Sequence, residues 1–465
     1  MSSNRSVLLA VTLGVVLVAG CATTVAGTAE PNGAAVSALA SSTPTTSSEA
    51  TSRSSETTAS TTPEATTPEA TTPSQSSESS ATTEAPTGST QSTASTGNST
   101  SSTVTSSRTA STSGDSVPKT YPTTPAVYPK TPATAEQANL LEGRRIAGSL
   151  VVPTFIDESY TKGGNLSTLP FKGPRTLSIL FSSPAIPTIA ERAGMLTGFS
   201  SARSDKAGNA LLVAAFEFGT AAQAAAAAPV LVAAVSDKKN DKGKAVVPGY
   251  PASAGWYGTL TDPYFQSFLA QGAMVLYLYV SGPKLKTPAL QAALAAKTFA
   301  VQSASMAKFV PTAPDKLLQL PVDPDGLLGY AIPDAPKDAT VRNGVLGPAG
   351  ELHYDTDPVG TRSVFGNAGV DVVVSNRATI YRAADNTGAM LVQADFIGFV
   401  QRTEASWQPY ELTAAVEDAK CLLQPLNSVY YCVGTHGRFA YELTAQSEQD
   451  INAVMTAHDA LLAKL

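Results

Sequence analysis

The chain has 465 residues, 43% of them hydrophobic and 15% charged, with a net charge of −6. Residues 1–116 hold eight acids against Arg5, Arg53 and Arg108, whereas the remainder balances 29 acids against 28 bases. A near-neutral folded part with dispersed charge lacks the basic footprint that phosphate-backbone binding needs, which excludes nucleic acid as an expected partner.

In chain order, Arg5 precedes an aliphatic run from Val7 to Ala19 that closes on Val18-Ala19-Gly20-Cys21. The run is too short for a permanent membrane span and has the layout of an export signal. Small residues leading into one cysteine resemble a bacterial lipoprotein lipobox. The resemblance implies a signal peptide over 1–20 and a Cys21 carrying thioether-linked diacylglycerol, with N-acylation (palmitate or a similar chain) after cleavage. Two or more acyl chains hold a protein on a membrane where one binds reversibly.

A lipidated N-terminus over 21–40 leads into 41–116, where about three fifths of the residues are Ser or Thr. Thr61-Thr62-Pro63-Glu64-Ala65 recurs as Thr66-Thr67-Pro68-Glu69-Ala70. Such a segment buries too little apolar surface to offset chain entropy, so it reads as a disordered stalk with a reach of about 45–50 Å.

The folded part reads as α+β. A first module spans 117–315, connecting loops 316–366, and a second module 367–465. In the first, Thr134 caps a helix from about 135 to 150, and Thr176–Phe181 is a short strand candidate. Arg192–Ala202 and Ala210–Phe218 read as paired strands, and Thr220 caps an Ala-rich helix reaching Val235. Strands follow at Gly255–Leu260, Tyr264–Leu269 and Ala273–Val280, the last apolar on both faces and expected to be covered on both. A helix from Ala289 to Phe309 closes the module.

In the second module Arg377–Ala384 and Ala389–Phe399 read as a hairpin around Asp385-Asn386-Thr387-Gly388. Glu404–Leu423 reads as helix. Ser428–Val433 and Arg438–Ala445 form a hairpin, and Ser447 starts a terminal helix ending at Leu465. The shared order implies duplication of a strand–strand–helix–strand–strand–helix unit. Arg192-Ala193 is matched with Arg377-Ala378, and Gly272-Ala273 with Gly437-Arg438.

Cys421 and Cys432 are an even pair apart from Cys21, and in an exported chain they are expected to join, pinning the second module's helix to its sheet. A metal site there has only His436 nearby. His353, Asp355 and Asp357 would share one face if they lay on a strand, making a weak oxygen-and-imidazole site. Gly350 and Pro358 around them favour a solvated loop instead. Asp323 and Asp325-Gly326 lack the later ligands of a calcium loop, and Asp262-Pro263 and Asp357-Pro358 are turn initiators. His458 is expected at a helix surface and His436 at a hairpin tip. Trp256-Tyr257, Tyr264-Phe265, Trp407 and Tyr410 are core aromatics that could also line a pocket. No nucleophile elbow, zinc-binding helix or phosphate loop occurs.

Taken together, the lipobox, the stalk, Leu141-Glu142-Gly143-Arg144-Arg145-Ile146-Ala147, Asp325-Gly326-Leu327-Leu328, His353-Tyr354 with Asp357-Pro358, and Ala368-Gly369-Val370-Asp371-Val372-Val373 are similar to an uncharacterised actinobacterial cell-envelope lipoprotein family. A fainter resemblance is to extracytoplasmic sensor domains of actinobacterial receptor kinases, without a kinase segment. The resemblance implies a lipid-anchored extracytoplasmic protein with no assigned reaction. The expectation is a non-enzymatic, cofactor-free envelope protein that binds a ligand or protein partner. The alternative is an envelope hydrolase or metal-dependent enzyme using His353, Asp355 and Asp357.

Overall fold

A computed structural model describes residues 120–163 and 167–465. The expected export signal, Cys21 and the Ser/Thr-rich stretch lie outside the described residues.

The first half begins with α1 (Ala135–Ala147), a single turn α2 (Pro153–Ile156), β1 (Leu169–Pro170) and α3 (Ile186–Arg192). It continues through β2 (Met195–Ser204), β3 (Ala210–Phe218), α4 (Ala221–Ala234), β4 (Gly243–Val247), β5 (Tyr250–Tyr257), β6 (Tyr264–Gln271), β7 (Met274–Ser281) and α5 (Pro288–Met306). The second half contains β8 (Gly344–Leu346), the short α6 (Pro348–Glu351), α7 (Pro358–Ala368), β9 (Val372–Ser375) and β10 (Thr379–Arg382). Then come α8 (Asn386–Thr403), β11 (Gln408–Tyr410), β12 (Lys420–Gln424), β13 (Val429–His436), β14 (Phe439–Ala445) and α9 (Glu448–Leu462).

These strands make two antiparallel seven-stranded sheets with one and the same strand order. It is β1-β2-β3-β7-β6-β5-β4 in the first and β8-β9-β10-β14-β13-β12-β11 in the second. Side chains alternate across each strand, so each sheet needs cover on both faces. In β7, Met274, Leu276, Leu278 and Val280 pack with α1 and α5, while Val275 and Tyr277 face the α3–α4 side. In the second sheet Val373, Tyr381 and Tyr431 lie under α7 and α8, and Ile380, Tyr441 and Leu443 pack with α9.

Several equivalent features recur 165 positions apart. The N-caps Thr220 of α4 and Asp385 of α8 are 165 positions apart (220 to 385). So are Gly272 and Gly437, which open the two-residue turns β6–β7 and β13–β14 in the left-handed region at φ +57° and +54°, where a turn of this kind favours glycine. Arg192 and Arg377 are not equivalent: Arg192 ends α3, whereas Arg377 sits in the turn between β9 and β10.

Several expectations are corrected. Residues 174–179 form a 3-10 turn entered at Pro174, with only Leu177 buried, and not a strand. Asp385-Asn386-Thr387-Gly388 is a helix start: Asp385 accepts the Gly388 N–H at 2.8 Å, and 386–403 is helical. Residues 404–423 hold β11, a loop and most of β12 in place of a helix. The second sheet begins at Gly344, inside the stretch read as a connector. Cys421 and Cys432 are bonded, but they face each other on β12 and β13, so the bridge ties strand to strand.

The segment from Tyr121 to Lys130 runs along the second half although it precedes the first. Tyr121 donates to Asp450 at the start of α9 at 2.5 Å, and the Ala126 N–H to the Gly329 carbonyl at 2.8 Å. A Cβ at residue 329 would come within 2.4 Å of the Ala126 carbonyl, so the strap needs glycine there. Lys464, next to the C-terminus, donates to the Thr123 carbonyl. Tyr121 and Tyr128 pack against the α9-side core.

Candidate functional site

His353, Asp355 and Asp357 follow one another in sequence but serve three separate local structures. The His353 ring is fully buried, and its Nε2 lies 3.0 Å from both the Ala147 and Leu150 carbonyls at the end of α1. Two carbonyl acceptors require Nε2 to carry the proton. Burial lowers the pKa of His353 to about 4, so the ring is neutral. Asp355 accepts the Asp357 N–H at 2.6 Å, and Asp357 caps α7 by accepting the Gly360 N–H at 3.1 Å. The expectation of a solvated loop is therefore overturned. No group of three His, Cys, Asp or Glu among the described residues is placed to hold a metal ion.

His458 is likewise corrected. It is fully buried on α9, 4.5 Å from the Tyr441 ring, and burial lowers its pKa to about 3. His436 ends β13 beside the hairpin turn, 3.5 Å from Asp459.

Around the buried histidine of α6–α7 stand three arginines to which sequence reading gave no structural role; two of them, Arg203 and Arg144, tie the first half to the second. Arg203 of β2 donates to the carbonyls of Thr161 at 3.2 Å and Leu352 at 3.3 Å, and also to that of Asp355. Arg144 of α1 reaches the Val341 carbonyl at 3.1 Å and that of Asn343. Arg342 pairs with Glu351 and lies over the Tyr354 ring, 4.8 Å from its centroid. A guanidinium offers five donors in a rigid fork, which suits it to several backbone carbonyls at once. Burial lowers the pKa of Arg203 to about 10, still cationic at neutral pH. Burial also opposes the charge of Arg342, but Glu351 beside it raises its pKa on balance. These groups set geometry; none opens onto a ligand-sized space.

The centres of the two sheets differ in polarity at matched positions. Under α4, Phe216 packs against Tyr277, whose hydroxyl donates to Gln266 at 3.2 Å. The residues 165 further on are Tyr381, Glu442 and Tyr431, and both tyrosines donate to Glu442, at 2.7 and 2.8 Å. A largely aromatic centre in one half is a buried carboxylate with two phenols in the other.

A second difference goes with an open cleft in the second half. In the first half Trp256 of β5 covers the end of α4, its indole N–H donating to the Val232 carbonyl at 2.8 Å. Trp256 pairs with Gln266, and the residue paired with Tyr431 in the second sheet is Leu422. The position 165 beyond Val232 is Ile397 of α8. Leu422 and Ile397 both line a cleft of about 540 Å³ between α8 and the 411–419 loop. Ala394, Gly398, Leu412 and Val416 are among its other lining residues, and Gln401, Glu411 and Lys420 are exposed beside them, so the cleft presents polar as well as apolar surface. Tyr410 also lines it, as the aromatic reading allowed, whereas Trp407 donates to Glu404 and stacks edge-on with Tyr431.

Residues 129–322 match the N-terminal domain, and residues 322–465 the C-terminal domain, of the family described as a domain of unknown function (DUF7373). The chain thus carries both DUF7373 domains, and their boundary falls between the two sheets. No curated protein matches it. Among solved structures it is similar to the extracellular domain of PknH from Mycobacterium tuberculosis, at 15% identity over 35% of this chain and 96% of that one, with a TM-score of 0.23.

Proposed function

We propose that this is an exported lipoprotein, anchored through Cys21 on the extracytoplasmic face of the cell membrane, whose head binds a ligand without transforming it. The observation that carries the binding reading is the cleft beneath α8, open where the matched place in the first half is covered by Trp256. The lipobox pattern and the Cys421–Cys432 disulfide support export, because structural disulfides belong to oxidising compartments. No described helix is long and apolar enough to cross a membrane; the lipobox pattern assigns anchorage to acyl groups on Cys21. The common strand order and the 165-position offset of several matched features support an origin of the head by duplication, after which one half kept a closed surface and the other an open one. A hydrolase reading has no comparable support, since the His353 proton is already donated to backbone carbonyls.

Mass spectrometry of the protein isolated from its own envelope tests this reading. The expected result is an acylated Cys21 as first residue and a non-covalently retained small molecule. A Cys21→Ser chain should leave the membrane fraction. An unmodified N-terminus, or a Cys21→Ser chain that sediments with membranes as before, overturns the anchor. A head that returns empty from its native envelope and turns over an envelope substrate overturns the binding role.

A further inference from the structure

We infer that the α8 cleft receives a small molecule with a compact apolar ring system and a polar end, held where the first half places its own indole. This rests on the binding role proposed above and names its site and ligand class. The first half serves as the internal reference: between α4 and β5 the space is covered by the Trp256 ring. In the second half Leu422 replaces that tryptophan, and Ala394 on α8 stands 165 positions after Pro229, so the wall is built from small residues. Removing a bicyclic side chain from one copy of a repeated surface leaves a recess whose walls fit a flat apolar group.

The polar requirements follow from the helix lengths. α4 ends at Ala234, so the Val232 carbonyl lies in its last turn and is open to the indole N–H. α8 continues to Thr403, which places the Ile397 carbonyl inside the helix, where the residue four further on claims it. The ring of the ligand therefore needs no donor at its buried end. Hydrogen-bonding groups on the bound molecule belong at the exposed end, where Gln401 supplies an amide and Lys420 an ammonium group beside Glu411. A recess of about 540 Å³ falls within the range of small-molecule sites, which combine an apolar body with a few placed polar groups.

The test uses the full chain carrying Cys21→Ser, with anilinonaphthalene sulfonate, a fused ring bearing a charged end, as the fluorescent probe. One equivalent should bind. Leu422→Trp, which restores the first half's side chain, should weaken binding at least tenfold. Ala394→Phe fills the cleft from an exposed helix position without touching the core, and should do the same. Trp256→Leu should uncover the matched recess and raise the stoichiometry to two. Undiminished dye on both filled variants, or one equivalent on a folded Trp256→Leu chain, overturns the inference. A native ligand that remains bound to both filled variants would displace the site while leaving the binding role itself standing.

Discussion

Cys421 and Cys432 lie directly across from each other on β12 and β13, with Cα atoms 4.1 Å apart, so the disulfide closes the hairpin from within the sheet. β12 has only the three-residue β11 on its other side, and the bridge secures this edge next to the cleft. Replacing both cysteines with serine should cost about 2–3 kcal/mol in the chain-entropy picture of a short closed loop. Urea unfolding of the two forms measures it, and the loss should be matched by adding a reductant to the parent chain.

Arg203 is a sharper point of failure. Its guanidinium is buried and shared among carbonyls from both halves of the head. Arg203→Met would leave the Leu352 and Asp355 carbonyls without this donor, at a cost of about 3 kcal/mol or more, since breaking a buried charged cluster costs more than never building it. Denaturant titration should show the loss, and Arg203→Lys should recover little, because an ammonium cannot span acceptors that a planar fork reaches.

Acid should weaken the head through its buried imidazoles. His353 and His458 have folded pKa values lowered by burial to about 4 and about 3, while the unfolded value is near 6.5. Between those limits the unfolded chain binds more protons, so stability is complete above about pH 6.5 and falls as the pH drops, by up to about 1.4 kcal/mol per pH unit for each ring. Unfolding midpoints at pH 7 and pH 5 should differ, and His458→Phe should roughly halve the difference.

Glu217 should act in the opposite direction. Burial, then the neighbouring charge of Glu142, raises its pKa to about 8, and Glu142 is already held by Arg145 and by the Thr312 N–H at 2.8 Å. The folded state keeps a proton that the unfolded state releases, so this contribution is full below about pH 4.5 and is lost as the pH rises through about 8. Glu217→Gln, which mimics the protonated form, should flatten the decline in stability between pH 6 and pH 9.

How far the fold was readable depended on local periodicity. The helices capped by Thr134, Thr220 and Ser447 and the strands at Ala210–Phe218, Tyr264–Leu269 and Ala273–Val280 carry strong patterns and stand close to expectation, whereas the strand expected at Gly255–Leu260 runs from Tyr250 to Tyr257. Residues 389–399 failed because Asn386-Thr387-Gly388 imitates a turn. Their buried positions, Ala389, Val392, Gln393, Phe396 and Ile397, in fact follow the helical period. Residues 404–423 failed because β11 is an edge strand with Pro409 in it, which propensity reads as no strand at all. β4 is likewise the edge strand of its sheet and only five residues long, although Lys244 and Val246 facing solvent with Ala245 and Val247 facing inward is the alternation of a strand.

The site was less legible than the fold. His353, Asp355 and Asp357 drew attention as polar neighbours, but their partners are backbone groups that composition does not display. The cleft emerges only by comparing the two halves position by position. One signal was present in the sequence: Gly272 and Gly437 share the 165-residue offset of the helix caps, and extending that offset aligns Pro229 with Ala394 and Val232 with Ile397. Arg192 with Arg377 has a different offset and obscured it.

The strap from Tyr121 to Lys130 gives the molecule a mechanical polarity. Its Tyr121–Asp450 bond, buttressed by Arg377 at 3.3 Å from the same carboxylate, is the first long-range side-chain contact met along the described residues. Any pull transmitted from upstream is therefore taken up as shear against the start of α9, beside the end bearing Lys464. The β1–β7 sheet lies downstream of that clasp in the chain, so the N-terminal strap and the C-terminal end meet on the half that is built last.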